Sequence, residues 1–539
     1  MRNGTIRRAV LGAIALALTG VAAVPASAQD DQTSRNTVLI ARLTGAAEVD
    51  GTGTPNQGDP DGEGIASVVL DVGTNAQAAG SDVCVRLVVD GLDDVVMAHI
   101  HVGAAGTNGP VVVPLPPPTT GASGGCVAVD PTLLRAIANN PAGYYVNVHT
   151  AAFPGGAVRG QLVAGPAPLT ARLSGASELD ASGVGFKGDP DGVGQAVVLV
   201  DPEGMVCAAL QVRGIEAPTA GHIHAAGLRA NGPVVVPFEK LPVNGASAGC
   251  VAAEPAVAGP IAAIPADHYV NLHNATYPGG AVRGQLAPGF TSARLVHSTG
   301  EVTHLLSANN AGSAGGLPLA APVVDADTTP TARGYWLAAS DGGVFAFGDA
   351  AFAGSAGGLR LNAPVVGVAG TPTGNGYWLA ASDGGVFSYG DARFSGSAGS
   401  LPLRSPVVGL ASTPTGRGYW LVAADGGVFS YGDAAFFGSA ASIRLTAPIV
   451  GMAATPTGLG YWLLGADGGV FSYGDAVYHG RSSNGNDPAS MVDIAALPVG
   501  SGYRIAGRTG DPVAFGESPS LGRPTGGAQA QSWVTAITG

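Results

Sequence analysis

Lysine is almost missing from this chain: Lys187 and Lys240 are the only two in 539 residues. With 38 acidic against 25 basic side chains and a formal net charge of −13, the chain argues against nucleic-acid binding. Charged residues make up only 12% of the chain and hydrophobic ones 46%, a balance that disordered chains do not have. Cysteine is scarce as well, four residues with no C-x-x-C pair, which speaks against a thiolate metal site. Beyond the N-terminus no apolar run is long enough to span a membrane.

What abounds is glycine, 86 residues, with 39 prolines and many short Val runs. Turn formers between β-branched runs predict an all-β protein, and the length predicts several domains. Residues 1–28 read as a secretory signal: Arg2, Arg7 and Arg8, then the apolar Ala9–Val24, then Ala26-Ser27-Ala28 as cleavage site. Cleavage after Ala28 removes three Arg and no acid, taking the charge from −13 to −16 and sending the mature chain outside the membrane. The Arg7-Arg8 pair leaves both general and twin-arginine export open.

Between residues 37 and 288 the chain repeats itself. ARLTGAAEVD (41–50) returns as ARLSGASELD (171–180), and YYVNVHTAAFPGGAVRGQL (144–162) as HYVNLHNATYPGGAVRGQL (268–286). The stretch AHIHVGAAGTNGPVVVPL (98–115) returns as GHIHAAGLRANGPVVVPF (221–238). Cys84 and Cys126, and Cys207 and Cys250, sit at matching points, so one disulfide per copy is the simplest pairing. Closing either loop contributes about 4 kcal/mol on the chain-entropy estimate. Most segments alternate apolar and polar residues as strands do. DPTLLRAIANNP (130–141) is the exception, a short helix with Asp130 as cap and Pro131 in its first turn.

The L-x-G-A-x-E opening, the single Cys before H-I-H, the N-G-P-V-V run and the closing Y-V-N-x-H…P-G-G-A-V-R-G-Q-L resemble the CHRD domain, named from chordin. The resemblance covers both copies, 37–165 and 166–290. It implies β-sandwich or barrel-like modules of secreted proteins, with no established catalytic activity, and it supplies no ligand.

In a strand, residues i and i+2 share a face, so His99 and His101 present two imidazoles together while Ala98, Ile100 and Val102 face the core. Tyr145, Asn147 and His149 share a face of the closing strand. The second copy repeats the set with His222, His224, Tyr269, Asn271 and His273. If the two strands are neighbours, three imidazoles converge with one position open, a donor set for Zn or Cu(II). The competing reading, which is preferred, makes these histidines hydrogen-bonding braces of a Gly-rich loop. A His-x-His on such a strand also resembles copper–zinc superoxide dismutases, whose remaining ligands are not recognisable. Arg159 and Arg283 read as solvated strand ends rather than partners of Glu48 and Glu178. The GDPDG loops at 58–62 and 188–192 read as turns, not calcium loops.

From residue 291 to 539 a 42-residue rhythm takes over. Tyr335, Tyr377, Tyr419, Tyr461 and Tyr503 keep it, as do Asp341, Asp383, Asp425 and Asp467, and Asp349, Asp391, Asp433 and Asp475. Worn repeats at both ends bring the total to six. Strands are expected near GYWLAA, GVFAFGD and PVVGVAG, with a short fourth near AAFAG and a type I′ turn at Asp-Gly. That pattern predicts a six-bladed β-propeller, with a β-solenoid as the competing architecture. The repeated Tyr-Trp pairs read as core between blades rather than sugar-stacking sites, and the repeated Asp as turn formers. ARLVHSTGEV (293–302) also echoes the opening of the duplicated domain and reads either as a vestige of a third copy or as part of the repeats.

The expectation is an all-β secreted protein: two tandem disulfide-stapled domains ahead of a propeller. Its expected role is non-enzymatic binding, with an extracellular protein or a cell-wall glycan as partner. The alternative is a Cu or Zn protein using His99, His101 and His149 and His222, His224 and His273, with redox or hydrolytic chemistry. A propeller enzyme needs acidic or nucleophilic residues that break the repeat symmetry, and no convincing set is present.

Overall fold

The computed structural model describes residues 36–71, 82–183, 185–228, 230–242, 244–289, 292–306, 311–482, 491–498, 502–510, 512–516 and 533–538. The expected signal peptide, its cleavage point after Ala28 and residues 29–35 of the expected linker 29–36 lie outside them, while Asn36 of that linker opens the first strand.

The first domain is one curled antiparallel sheet. Its strands are β1 (Asn36–Thr44), β2 (Glu63–Asp71), β3 (Asp82–Asp90), β4 (Val95–Val102), β5 (Val111–Leu115), β6 (Ala122–Ala128), β7 (Tyr144–Thr150), β8 (Val158–Gln161) and β9 (Val163–Ala164). The order is β5-β4-β7-β8-β1-β2-β3-β6, with β9 beside β1. The edges approach each other where Ser123 Oγ donates to Pro116 O at 2.7 Å, giving a barrel-like closure. Inside lie alternate residues of each strand, among them Leu39, Ala41, Ala66, Val68, Val85, Ile100, Val146 and Val148. Helix α1 (Pro131–Asn139) adds Leu134 and Ile137 to that core, with the Asp130 side chain accepting from Thr132 N.

The second domain repeats this topology. Its helix α2 (Pro255–Ala263) was not apparent in the sequence because Gly259 and Pro260 sit inside it. Cys84 faces Cys126, and Cys207 faces Cys250, as direct cross-strand partners joined by disulfides. The two sheets meet through Ile65 and Val88 on one side and Leu199, Met205 and the second disulfide on the other.

The repeats form six three-stranded sheets whose inner strands follow one another around a ring. Ring closure settles the ARLVHSTGEV segment. Strand Val534–Thr538 from the C-terminus pairs with Ser292–His297, which pairs with Val302–Leu306, to make the first blade from both ends of the region. The segment is therefore a blade, not a third copy of the preceding domain. Trp336, Trp378, Trp420 and Trp462 and the Tyr residues before them are at most 1% exposed between blades, so no sugar can stack on them. Trp533, by contrast, is 57% exposed.

Two local expectations need correction. The AAFAG segment is not a strand. It is held instead by Trp336 Nε1 donating to Ala351 O and by the next blade's Tyr377 hydroxyl, which accepts from Ala353 N and donates to Gly354 O. The Asp-Gly hairpin is not type I′ either, because Asp341 has no positive φ while Gly342 does, at 86°. Bonds from Gly342 N to Ala339 O and from Ala339 N to Gly343 O make a type I turn followed by a glycine bulge.

The second set of repeated Asp has a different job from the first. Thr371 Oγ1 donates to Asp391 Oδ1 at 2.9 Å and Thr373 Oγ1 to Asp391 Oδ2 at 2.5 Å, tying the T-P-T-G loop to the outer strand's end. Asp349, Asp433 and Asp475 do the same. Asp391→Ala is expected to cost about 2–4 kcal/mol, since two hydrogen bonds to a charged acceptor are lost. The check is a lowered urea midpoint with unchanged m-value.

Candidate metal centre

The sheet's outer face, opposite the apolar core, carries the polar residues. On β4 and β7 the register pairs His99 with Asn147 and His101 with Tyr145, and on β7 and β8 it pairs Asn147 with Arg159. Strand alternation thus places His99, His101, Asn147, His149 and Arg159 in one patch. The loops after β1 and β4 cover it, leaving Glu48, Asn147 and Arg159 each 2% exposed.

The structure brings His99, His101 and His149 together, one ring nitrogen from each lying within 4.8 Å of the others. His222, His224 and His273 make the same cluster in the second domain. Ring centroids are 5.2–6.1 Å apart in the first trio and 5.3–6.4 Å in the second. His101 Nδ1 lies 2.9 Å from Gly109 O and His149 Nδ1 3.1 Å from Pro154 O, so these nitrogens carry the protons and donate. Their buried Nε2 atoms, and Nδ1 of His99, have no hydrogen-bond partner among the described residues. His224 and His273 bond Gly232 O and Pro278 O in the same way. The brace and the ligand readings therefore use different nitrogens of one ring: Nδ1 holds the loop and Nε2 is left for the cluster.

The groups that orient the rings are therefore backbone carbonyls rather than carboxylates. The signal was in the sequence: His101 to Gly109 and His224 to Gly232 are both eight residues apart, and His149 to Pro154 and His273 to Pro278 both five.

Burial pushes His99, His101, His149, His222 and His224 below the ordinary imidazole value, with neighbouring imidazoles or the nearby arginine adding to it. Neutral imidazoles are what a metal ion requires.

Arg159 and Arg283 are not solvated strand ends. The Arg159 guanidinium lies 3.5 Å over the Tyr145 ring, whose centroid is 4.9 Å from the nearly parallel His101 ring. It donates to Asn108 Oδ1 at 3.1 Å and Thr107 O at 2.9 Å, which fixes the Asn-Gly-Pro loop. The sequence reading failed here because a solvated arginine is the ordinary case, whereas a planar guanidinium with an aromatic face and carbonyl partners can be buried. Glu48 is buried too, and desolvation pushes its carboxyl up to about 7 although Arg159 pulls it down. Glu178 is pushed up to about 8 for the same reason against Arg283 and the Asn271 amide. The GDPDG loop is a turn, with Gly62 N donating to Asp59 O.

No curated protein matches the chain. Among similar solved structures is the β-propeller domain of Cps50 (Swd1) from Myceliophteria thermophila, 10% identical, with TM-score 0.29, covering 47% of this chain and 90% of that one. A TM-score that low adds nothing to the topology described above. The family model described as the CHRD domain matches residues 39–162 and again residues 169–286, which are the two curled-sheet domains that precede the six-bladed ring.

Proposed function

We propose that each CHRD domain binds one transition-metal ion, Zn(II) or Cu(II), through His99 Nδ1, His101 Nε2 and His149 Nε2, and through His222 Nδ1, His224 Nε2 and His273 Nε2. The protein is then a secreted metal-binding module protein whose propeller serves contact with an extracellular protein or cell-wall glycan. The observation that carries the reading is the set of three buried, partnerless ring nitrogens within 4.8 Å, built twice. Leaving three acceptors buried without donors costs free energy that a cation removes. Three neutral nitrogens with one open position suit Zn or Cu, and the second disulfide-stapled copy fits an oxidising compartment.

The test is metal content of the full chain, expressed with its leader and purified without chelator or His tag. Two equivalents of one metal are expected. His101→Ala and His224→Ala should each lose one equivalent, and the double variant both, with CD spectra unchanged. A wild-type chain that takes up neither Zn nor Cu after dialysis against each would leave the histidines as loop braces.

A further inference from the structure

The polar patch holds more unpartnered acceptors than the imidazoles. Glu48 Oε1 and Asn147 Oδ1 are buried without a partner among the described residues, and so are Glu178 Oε1 and Asn271 Oδ1. Asn147 is the cross-strand partner of His99 and lies two residues from His149, so its amide borders both rings. The Pro-Gly-Gly turn places the carboxyl: Pro154 O takes the His149 proton, while a Cβ on Gly156 would come within 2.5 Å of Glu48 Oε1. Gly156 and Gly280, with φ of 138° and 141°, are the positions where a side chain would be strained and would strike the glutamate. In the second domain Asn271 Nδ2 donates to Glu178 Oε2 at 3.4 Å, tying amide and carboxyl together. Arg159 also faces the patch, close enough to lower the Glu48 carboxyl against its burial.

Two orphan acceptors beside a three-ligand cation site match one molecule. A metal-bound water has its lone pair on the ion and two O–H bonds to give. We propose that the fourth coordination position in each CHRD domain holds a water that donates to Asn147 Oδ1 and Glu48 Oε1, or to Asn271 Oδ1 and Glu178 Oε1. This rests on the metal reading above. The ion's charge favours the ionised carboxylate, which accepts a hydrogen bond from the water and holds it in place. Glu48 and Asn147 are positioning residues for a displaceable ligand, and the centre is an open one rather than a closed structural site.

The experiment uses the full chain with His222→Ala, so that only the first site loads. In its Cu(II) form, strongly coupled protons that exchange in D2O should appear by electron–nuclear double resonance. In its Co(II) form, the visible spectrum should change with a midpoint set by loss of a proton from the bound water. Glu48→Gln removes the adjacent negative charge, which favours hydroxide, so the midpoint should fall by about one pH unit or more at unchanged Co content. Glu48→Asp should restore it in part. Glu178→Gln in a His101→Ala chain repeats the measurement should Glu48→Gln not fold. A loaded chain without exchangeable protons, or with a midpoint indifferent to both glutamine variants, overturns the water and leaves the metal reading intact. A chain that takes up no metal overturns both.

Discussion

Deleting residues 533–539 is expected to open the propeller and abolish its cooperative unfolding. The first blade exists only because strand Val534–Thr538 joins Ser292–His297 across the full length of the repeat region. In that strand Val534, Ala536 and Ile537 are 0–2% exposed. Burial of the Val and Ile side chains alone is worth about 3–6 kcal/mol. The Ile537 amide also donates to Asp493 Oδ2 at 3.1 Å. Asp493 is a buried carboxyl that burial pushes up to about 7. Losing its partner adds about 1–3 kcal/mol. The sum is of the order of a whole domain's stability. Near-UV CD and trypsin digestion provide the readout: the four interblade Trp should lose their fixed environment and the 311–482 segment should be cut. A truncated chain that melts within about 2 °C of the full one would mean the ring does not depend on this closure.

The same closure shows what the sequence could and could not say. The 42-residue period predicts blades because each Tyr-Trp pair needs a neighbour's face, and the structure packs them so. The partner of Ser292–His297 was not legible, since Arg294 stands where the regular repeats have Trp and the pairing spans 240 residues of chain. In the two duplicated domains, strand periodicity was enough to put His99, His101 and His149 on one side, and the duplication pointed to both disulfides. Periodicity says which face a residue takes, not what covers that face. Loops 45–62 and 103–110 bury Arg159 and Glu48, and a loop's path depends on backbone bonds such as Asp59 N to Ala157 O that leave no pattern in composition. The orphan nitrogens follow from which carbonyl each imidazole meets, and only the equal spacings to Gly109 and Gly232 and to Pro154 and Pro278 point to those partners.

The buried glutamates make the two metal-free duplicated domains lose stability as pH rises. Glu48 is held up to about 7 and Glu178 to about 8, against an unfolded value of 4.5. Below 4.5 both states carry the proton and the contribution is complete. Above it the unfolded chain ionises while the folded one resists, so stability falls until pH 7 in the first domain and 8 in the second. At about 1.4 kcal/mol per pH unit this amounts to roughly 3–5 kcal/mol in each domain. The histidines act oppositely. Desolvation lowers their folded values, so what they contribute is present above 6.5 and is lost as pH falls. Metal-free stability should therefore peak between about pH 5 and 6.5. Glu48→Gln with Glu178→Gln should match the wild type at pH 5 and exceed it by several kcal/mol at pH 8, in EDTA, by hydrogen exchange of the strands between residues 36 and 289. Parallel profiles for the two chains would show that these carboxyls ionise freely in the fold. Zn added to the wild type should flatten the alkaline arm as well, because a dication among the imidazoles stabilises the same ionised carboxylates that burial alone disfavours.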